Sequence, residues 1–88
     1  MFQVKLHKNV SKFLEKLDTK NKAACRKAID ELSNNPFVRR PGCDIKKLGG
    51  KEDVYRLRVG SIRLNYIVIK DTLIIYINDA FYRSRGYR

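Results

Sequence analysis

The chain has 88 residues, 43% of them hydrophobic, and sets 20 Lys and Arg against 9 Asp and Glu for a formal net charge of +11. That length bounds one small domain with a modest core, and the apolar content is that of a folded globular chain. No apolar run approaches the roughly 18–20 residues of a membrane-crossing helix, and no amphipathic helix sets bulky apolar residues against a basic face, so the charge points to nucleic acid or an acidic protein.

Residues 2–7 alternate as Phe2, Gln3, Val4, Lys5, Leu6, His7, which predicts a half-buried first strand with Phe2, Val4 and Leu6 inward. Lys5, His7 and Lys8 interrupt the first apolar residues, which argues against a signal peptide and for a cytoplasmic protein. Asn9 or Ser11 can cap the next element, where Val10, Phe13, Leu14 and Leu17 form one stripe of a short amphipathic helix. Asp18-Thr19 supplies a second N-cap, and a helix to about Ser33 has Cys25, Ala28, Ile29 and Leu32 as its inward stripe. The short connection predicts an antiparallel helix hairpin. Asn34-Asn35-Pro36 ends it, since Pro36 disfavours helical geometry at Asn35.

Residues 36–43 read as a loop, followed by a short segment from Asp44 to Leu48 ahead of Gly49-Gly50. Cys25 and Cys43 have no second pair to make a zinc-ligand spacing, so they read as reduced thiols, one in a helix core and one in a loop. His7 is the only histidine and reads as structural or exposed.

Two alternating runs then flank Gly60-Ser61, as a two-residue hairpin turn requires. The implied register pairs Val59 with Ile62, Arg58 with Arg63, Leu57 with Leu64 and Arg56 with Asn65. Tyr55, Leu57, Val59, Ile62, Leu64 and Tyr66 share one face, and Arg56, Arg58, Arg63 and Asn65 the other. Like charges directly opposite destabilise a sheet, so folding alone gives no reason to set Arg58 across from Arg63. An anionic partner does, because phosphate matches the planar guanidinium fork; a solvated basic face is the alternative.

A second turn near Lys70-Asp71 is expected to pair Ile69 with Thr72, giving a last strand over 72–78 with Leu73, Ile75 and Ile77 on the core face. Ile74, Tyr76 and Asn78 would then join the arginine face. The tail from Ala80 to Arg88 carries three arginines and three aromatics. It should leave the last strand beside Arg63 and fold over the arginine face. The fold class is therefore α+β: an N-terminal strand, an antiparallel helix hairpin and a three-stranded antiparallel meander, forming one mostly antiparallel sheet covered on one face by the helices.

This order, with Lys47-Leu48-Gly49-Gly50, Val54-Tyr55-Arg56-Leu57-Arg58, Ile62-Arg63-Leu64-Asn65-Tyr66 and Tyr82-Arg83-Ser84-Arg85-Gly86-Tyr87, resembles the RelE branch of the RelE/ParE toxin superfamily over essentially the whole of 1–88. The resemblance implies a toxin of a toxin–antitoxin pair that enters the ribosomal A site and cuts mRNA by 2′-hydroxyl attack, without metal or other cofactor. It also implies silencing by an acidic, RelB-like antitoxin in a heterodimer or heterotetramer. Matched position by position, Arg56, Arg63, Arg83 and Tyr87 become the catalytic candidates, and Arg58, Lys46, Lys47 and Arg85 the RNA-binding ones. Some family members carry lysines where this chain has Arg56 and Arg58. Arginine is a poor general base, which leaves Tyr87, Lys46, Lys47 or water for that task. Two other functions fit the same pattern: a ParE-type inhibitor of gyrase, and a non-catalytic RNA- or ribosome-binding relative.

Overall fold

The computed structural model describes residues 1–50 and 53–84. Strand β1 spans Gln3–Leu6, helix α1 Lys8–Glu15 and helix α2 Thr19–Asn34. Strands β2 (Asp44–Lys47), β3 (Val54–Val59), β4 (Ile62–Ile69) and β5 (Ile74–Tyr82) follow. They form one five-stranded sheet in the order β1-β5-β4-β3-β2, antiparallel except where β1 runs parallel to β5. The short segment ahead of Gly49-Gly50 is thus a fourth meander strand on the outer edge. No helix among the described residues is long and apolar enough to cross a membrane.

One face of the sheet carries the core. Leu57, Ile62, Leu64, Tyr66, Ile75 and Ile77 are buried beneath Val10 and Leu17 of the α1 region and Cys25, Ala28 and Leu32 of α2. Burial of aliphatic surface is worth about 25 cal/mol per Å², so this face holds most of the stabilisation. Within β1 only Val4 is half-buried, with Phe2 just ahead of it, while Leu6 is 37% exposed. The expected inward Leu6 fails because it reaches the rim of the helix layer, where it lines a groove with Leu14, Cys25 and Ile29.

Helix α1 begins two residues earlier than a cap at Asn9 would allow and four earlier than one at Ser11. His7 is the N-cap: its backbone is extended (φ −62°, ψ 147°) and its Nδ1 accepts the Asn9 N–H at 3.0 Å. The lone histidine is therefore structural, satisfying one of the orphan donors of the first turn. At α2, Asp18 is the N-cap residue, and its carboxylate accepts from the Asn21 side chain at 2.7 Å.

After α2, the chain from Asn35 to Cys43 is pinned at several points. The Arg40 guanidinium donates to Glu31 Oε1 and to the carbonyls of Glu31, Asn35 and Val38. Buried Tyr66 donates its hydroxyl to Pro36 O at 2.7 Å, and burial pushes that phenol well above its ordinary range. Cys43 lies in the loop, as expected, but is fully buried there and bridges Arg40 through the backbone. Both thiols are free, and burial raises the pKa of each.

The central hairpin has the expected register throughout, from Val59↔Ile62 to Arg56↔Asn65. Gly60 holds φ at 59°, the positive value its turn position demands. The second hairpin differs. Ile69 pairs with Ile74, leaving a four-residue loop over 70–73 in which Leu73 sits at φ 54° and is half-exposed. Lys70-Asp71 lacks the glycine that makes a two-residue primed turn inexpensive, so the chain spends two more residues on the reversal. A shift of two preserves the faces: Ile75 and Ile77 remain inward, but Leu73 leaves the core.

Strand β5 also runs on to Tyr82 instead of stopping at Asn78. Its register shifts opposite Asn65/Tyr66, where Tyr66 pairs with Ile77 but Asn65 pairs with Asp79. Asn78 is the extra residue of this bulge, and beyond it the faces of β5 exchange. Ala80 packs against the core, while Asp79 and Phe81 turn to the opposite face beside Asn65 and Arg63. The segment 80–82 is therefore strand, not a tail folded over the sheet.

Candidate functional site

Side chains that alternate away from the helices leave the second face of the sheet uncovered. Asp44, Lys46, Arg56, Arg58, Arg63 and Asn65 lie at its β2–β4 end, and Ile67, Tyr76 and Ile74 lie farther out. The three hairpin arginines are each half-buried, and each is held differently.

Arg58 is the cross-strand partner of Asp44, and its Nε and Nη2 donate to the two carboxylate oxygens at 3.0 and 3.1 Å. Arg39 reaches the same carboxylate at 3.0 Å. The Arg58 hydrogen bonds, with the charges of Arg58, Arg39 and Arg63 behind them, hold Asp44 below the usual carboxylate range. Asp44 thus supplies the folding reason for Arg58 across from Arg63 that the hairpin alone lacks. A fork–fork pair is the strong form of this contact.

Arg63 donates through Nη1 to the carbonyls of Gly60 and Ile62 at 2.7 and 3.0 Å, which holds its guanidinium at the hairpin turn. Arg56 donates through Nε to Asn65 Oδ1 at 2.9 Å, and its guanidinium carbon lies 5.2 Å from the centre of the Phe81 ring. Arg83 follows Tyr82 at the end of β5, and its backbone N–H donates to Ser61 O at 2.7 Å. Its backbone therefore stands at the same turn as Arg63.

Lys46 pairs with Arg56 across β2 and β3 and shares the arginine face. Lys47 pairs with Tyr55, and alternation puts it on the other side of the strand. The structure does not bring Lys47 together with the arginines; both lysines also sit on a short edge strand, where charge discourages pairing with another sheet. Arg85 and Tyr87 lie outside the described residues.

Three residues of this face were missed by pattern reading. Asp44 could have been found by pairing the alternating run 44–47 against 54–59. Asp79 and Phe81 reach the face only through the bulge, which no residue type announces. The assembled surface offers several fixed cations, an aromatic ring and two carboxylates, the arginine-bound Asp44 and the exposed Asp79, on one sheet face. Such a set can hold a phosphodiester and stabilise charge that develops on it.

Residues 4–87 match the family described as the ParE toxin of the type II toxin–antitoxin system parDE. The RelE1 protein of Methanocaldococcus jannaschii is 37% identical over 87 residues, spanning 99% of this chain and 96% of that protein. Among solved structures, the archaeal RelE–RelB complex from Pyrococcus horikoshii OT3 superposes with a TM-score of 0.84 at 32% identity, covering 96% of this chain and 97% of that one. The isolated Escherichia coli RelE toxin shares the fold, with a TM-score of 0.79 at 21% identity over 99% of this chain and 92% of its own.

Proposed function

The chain belongs to the RelE/ParE superfamily of type II toxins, and from that membership we propose that it is a ribosome-dependent endoribonuclease that cuts mRNA in the A site. The observation that carries this reading is the open face of β3–β5, where Arg56, Arg63 and the Arg83 backbone converge on one end of a rigid sheet. In-line cleavage forms a bond from the 2′-oxygen to phosphorus and breaks the bond to the 5′-oxygen. The 2′-hydroxyl proton passes to a base and an acid protonates the leaving oxygen, giving a 2′,3′-cyclic phosphate and a 5′-hydroxyl. The arginines take the charge that builds at phosphorus, and Arg58 and Lys46 meet the flanking backbone. Tyr87 is assigned to stacking on a base or to proton transfer, and Arg85 to the RNA backbone.

The partner assigned to it is an acidic, RelB-like antitoxin that silences it; the similar archaeal structure from Pyrococcus horikoshii is a RelE–RelB complex, which supports such a partner. The groove of about 410 Å³ between β1, α1 and α2, lined by Leu6, Leu14, Cys25 and Ile29, suits the apolar side of a helix from such a chain. A net charge of +11 makes the association fast and salt-sensitive.

The family match to the parDE toxin favours a second reading, inhibition of gyrase. Purified protein added to programmed ribosomes, with 5′ ends of the mRNA mapped, separates the two. Cuts at a fixed position within the A-site codon support cleavage; intact mRNA with blocked supercoiling by gyrase overturns it in favour of the second reading.

A further inference from the structure

We infer that Asn65 and Phe81 are positioning residues for Arg56, together aiming its guanidinium at a phosphate of bound RNA; this rests on reading the open face as an RNA site. An arginine on a sheet surface has four side-chain torsions free and samples many directions. Here the Nε–H is tied to Asn65 Oδ1 at 2.9 Å, and the guanidinium lies over the Phe81 ring at 5.2 Å from its centre. The first contact fixes one edge of the guanidinium, and the second places it over the ring. Among the described residues, Nη1 and Nη2 of Arg56 donate to no group.

Both partners are neutral, as are the carbonyls that hold Arg63, and this separates Arg56 from the two arginines bound by carboxylates. Arg40 is bound by Glu31, and Arg58 by Asp44, so much of their charge is met inside the protein. Arg56 is held at two points without a carboxylate, so its full charge and its outer edge remain for an incoming anion. A quadrupole and an amide oxygen orient a cation without cancelling it.

The fold reaches this arrangement by an irregular route. Asn65 is the direct cross-strand partner of Arg56, but Phe81 arrives from β5 only because the bulge at Asn78 exchanges the faces of that strand. In an unbroken ladder Phe81 would point at the helices. Bulges recur where a strand must re-aim a side chain near a site.

The test uses the full chain with Phe81→Leu, which keeps apolar bulk and loses the ring, Asn65→Ala, and Phe81→Tyr as the conservative replacement. Three readouts apply: the Arg56 Nε–Hε resonance, assigned by its disappearance in Arg56→Lys; affinity for a 2′-deoxy trinucleotide that cannot be cut; and cleavage on programmed ribosomes. The expected result is a discrete Nε–Hε signal in the wild type that moves to the solvent-exposed position in Asn65→Ala and shifts in Phe81→Leu. Both variants lose about 5–30-fold in kcat with KM within about twofold, and Phe81→Tyr recovers the rate. Unchanged cleavage in both, or a loss that follows only the thermal midpoint, overturns the proposal. A wild-type chain that cuts no mRNA defeats the endonuclease reading instead. The positioning role is then decided by the trinucleotide: weaker binding in both variants upholds it, and equal binding overturns it.

Discussion

Arg63 and Leu64 are neighbours in the chain but stand on opposite faces of β4, so replacing each by alanine separates the two jobs of the sheet. Leu64 has no solvent exposure and sits in register between Leu57 on β3 and Ala80 on β5. Those flanking residues belong to a rigid central sheet that cannot collapse inward, so Leu64→Ala leaves a cavity and costs about 2–5 kcal/mol. A domain of this size holds only about 4–13 kcal/mol in total. At about 4–8 °C per kcal/mol, a 3 kcal/mol loss lowers the thermal midpoint by roughly 12–24 °C. Arg63→Ala loses the hydrogen bonds of Nη1 to Gly60 O and Ile62 O at a half-exposed turn. The net cost of that loss is about 0.5–1.5 kcal/mol. Its effect on ribosomal cleavage should be far larger, about 10²–10³-fold, as for removal of one partner of the transition-state charge. Thermal unfolding followed by circular dichroism, with cleavage measured on the folded fraction, decides the matter. Equal destabilisation by the two variants, or an Arg63→Ala protein that cuts at the wild-type rate, refutes the division of labour between faces.

Arg83→Ala should reduce cleavage by about 10²-fold while preserving antitoxin binding and the thermal midpoint, since its exposed side chain follows the last strand; unchanged cleavage removes Arg83 from the site. Tyr66→Phe strands the buried Pro36 carbonyl and should cost about 1–3 kcal/mol by chemical denaturation. Asp44 has a folded pKa below its unfolded value of 3.8, so its stabilisation is complete above that value and is lost as pH falls through the folded pKa. Asp44→Asn should therefore flatten the acid limb of the stability profile below about pH 4; with both side chains of the Arg58 pair 39% exposed, the loss at neutral pH stays under about 1 kcal/mol.

The central hairpin was legible in the sequence because each of its determinants is local. Gly60 marks the turn, and strict alternation from Tyr55 to Tyr66 leaves one register in which every aliphatic side chain reaches the core. Helix α2 was legible for the same reason, through the Cys25, Ala28, Ile29, Leu32 stripe. What escaped were features set by distant contacts. Asp44 reads only as the start of a short segment until β2 is laid against Arg58, and the burial of the loop thiol Cys43 shows only once Arg40 folds the loop back onto Glu31. The Asn78 bulge leaves no mark on residue type, because Asn, Asp and Ala serve in bulges, turns and edges alike. The arginines could be assigned to a face from pattern alone, but the difference between a carboxylate-bound Arg58 and an Arg56 held by neutral groups depends on β2 and β5.

The strand order also bears on when the arginine face can form. Arg56, Arg63, Asn65 and Phe81 all lie on the β3–β5 meander, whose hairpins close over short stretches of chain. Pairing of Gln3 with Ile74 instead closes a loop of roughly 70 residues, an entropic cost of nearly 4 kcal/mol that local hairpins avoid. A nascent meander would therefore have its arginine-bearing side in place while Leu57, Leu64, Tyr66 and Ile75 still lie bare on the reverse. Until β1 and the two helices close over them, the bare side invites association with other chains. Loop closure alone makes the covering of the sheet's back by the N-terminal third the expected late step of folding, which pulsed hydrogen exchange during refolding would test.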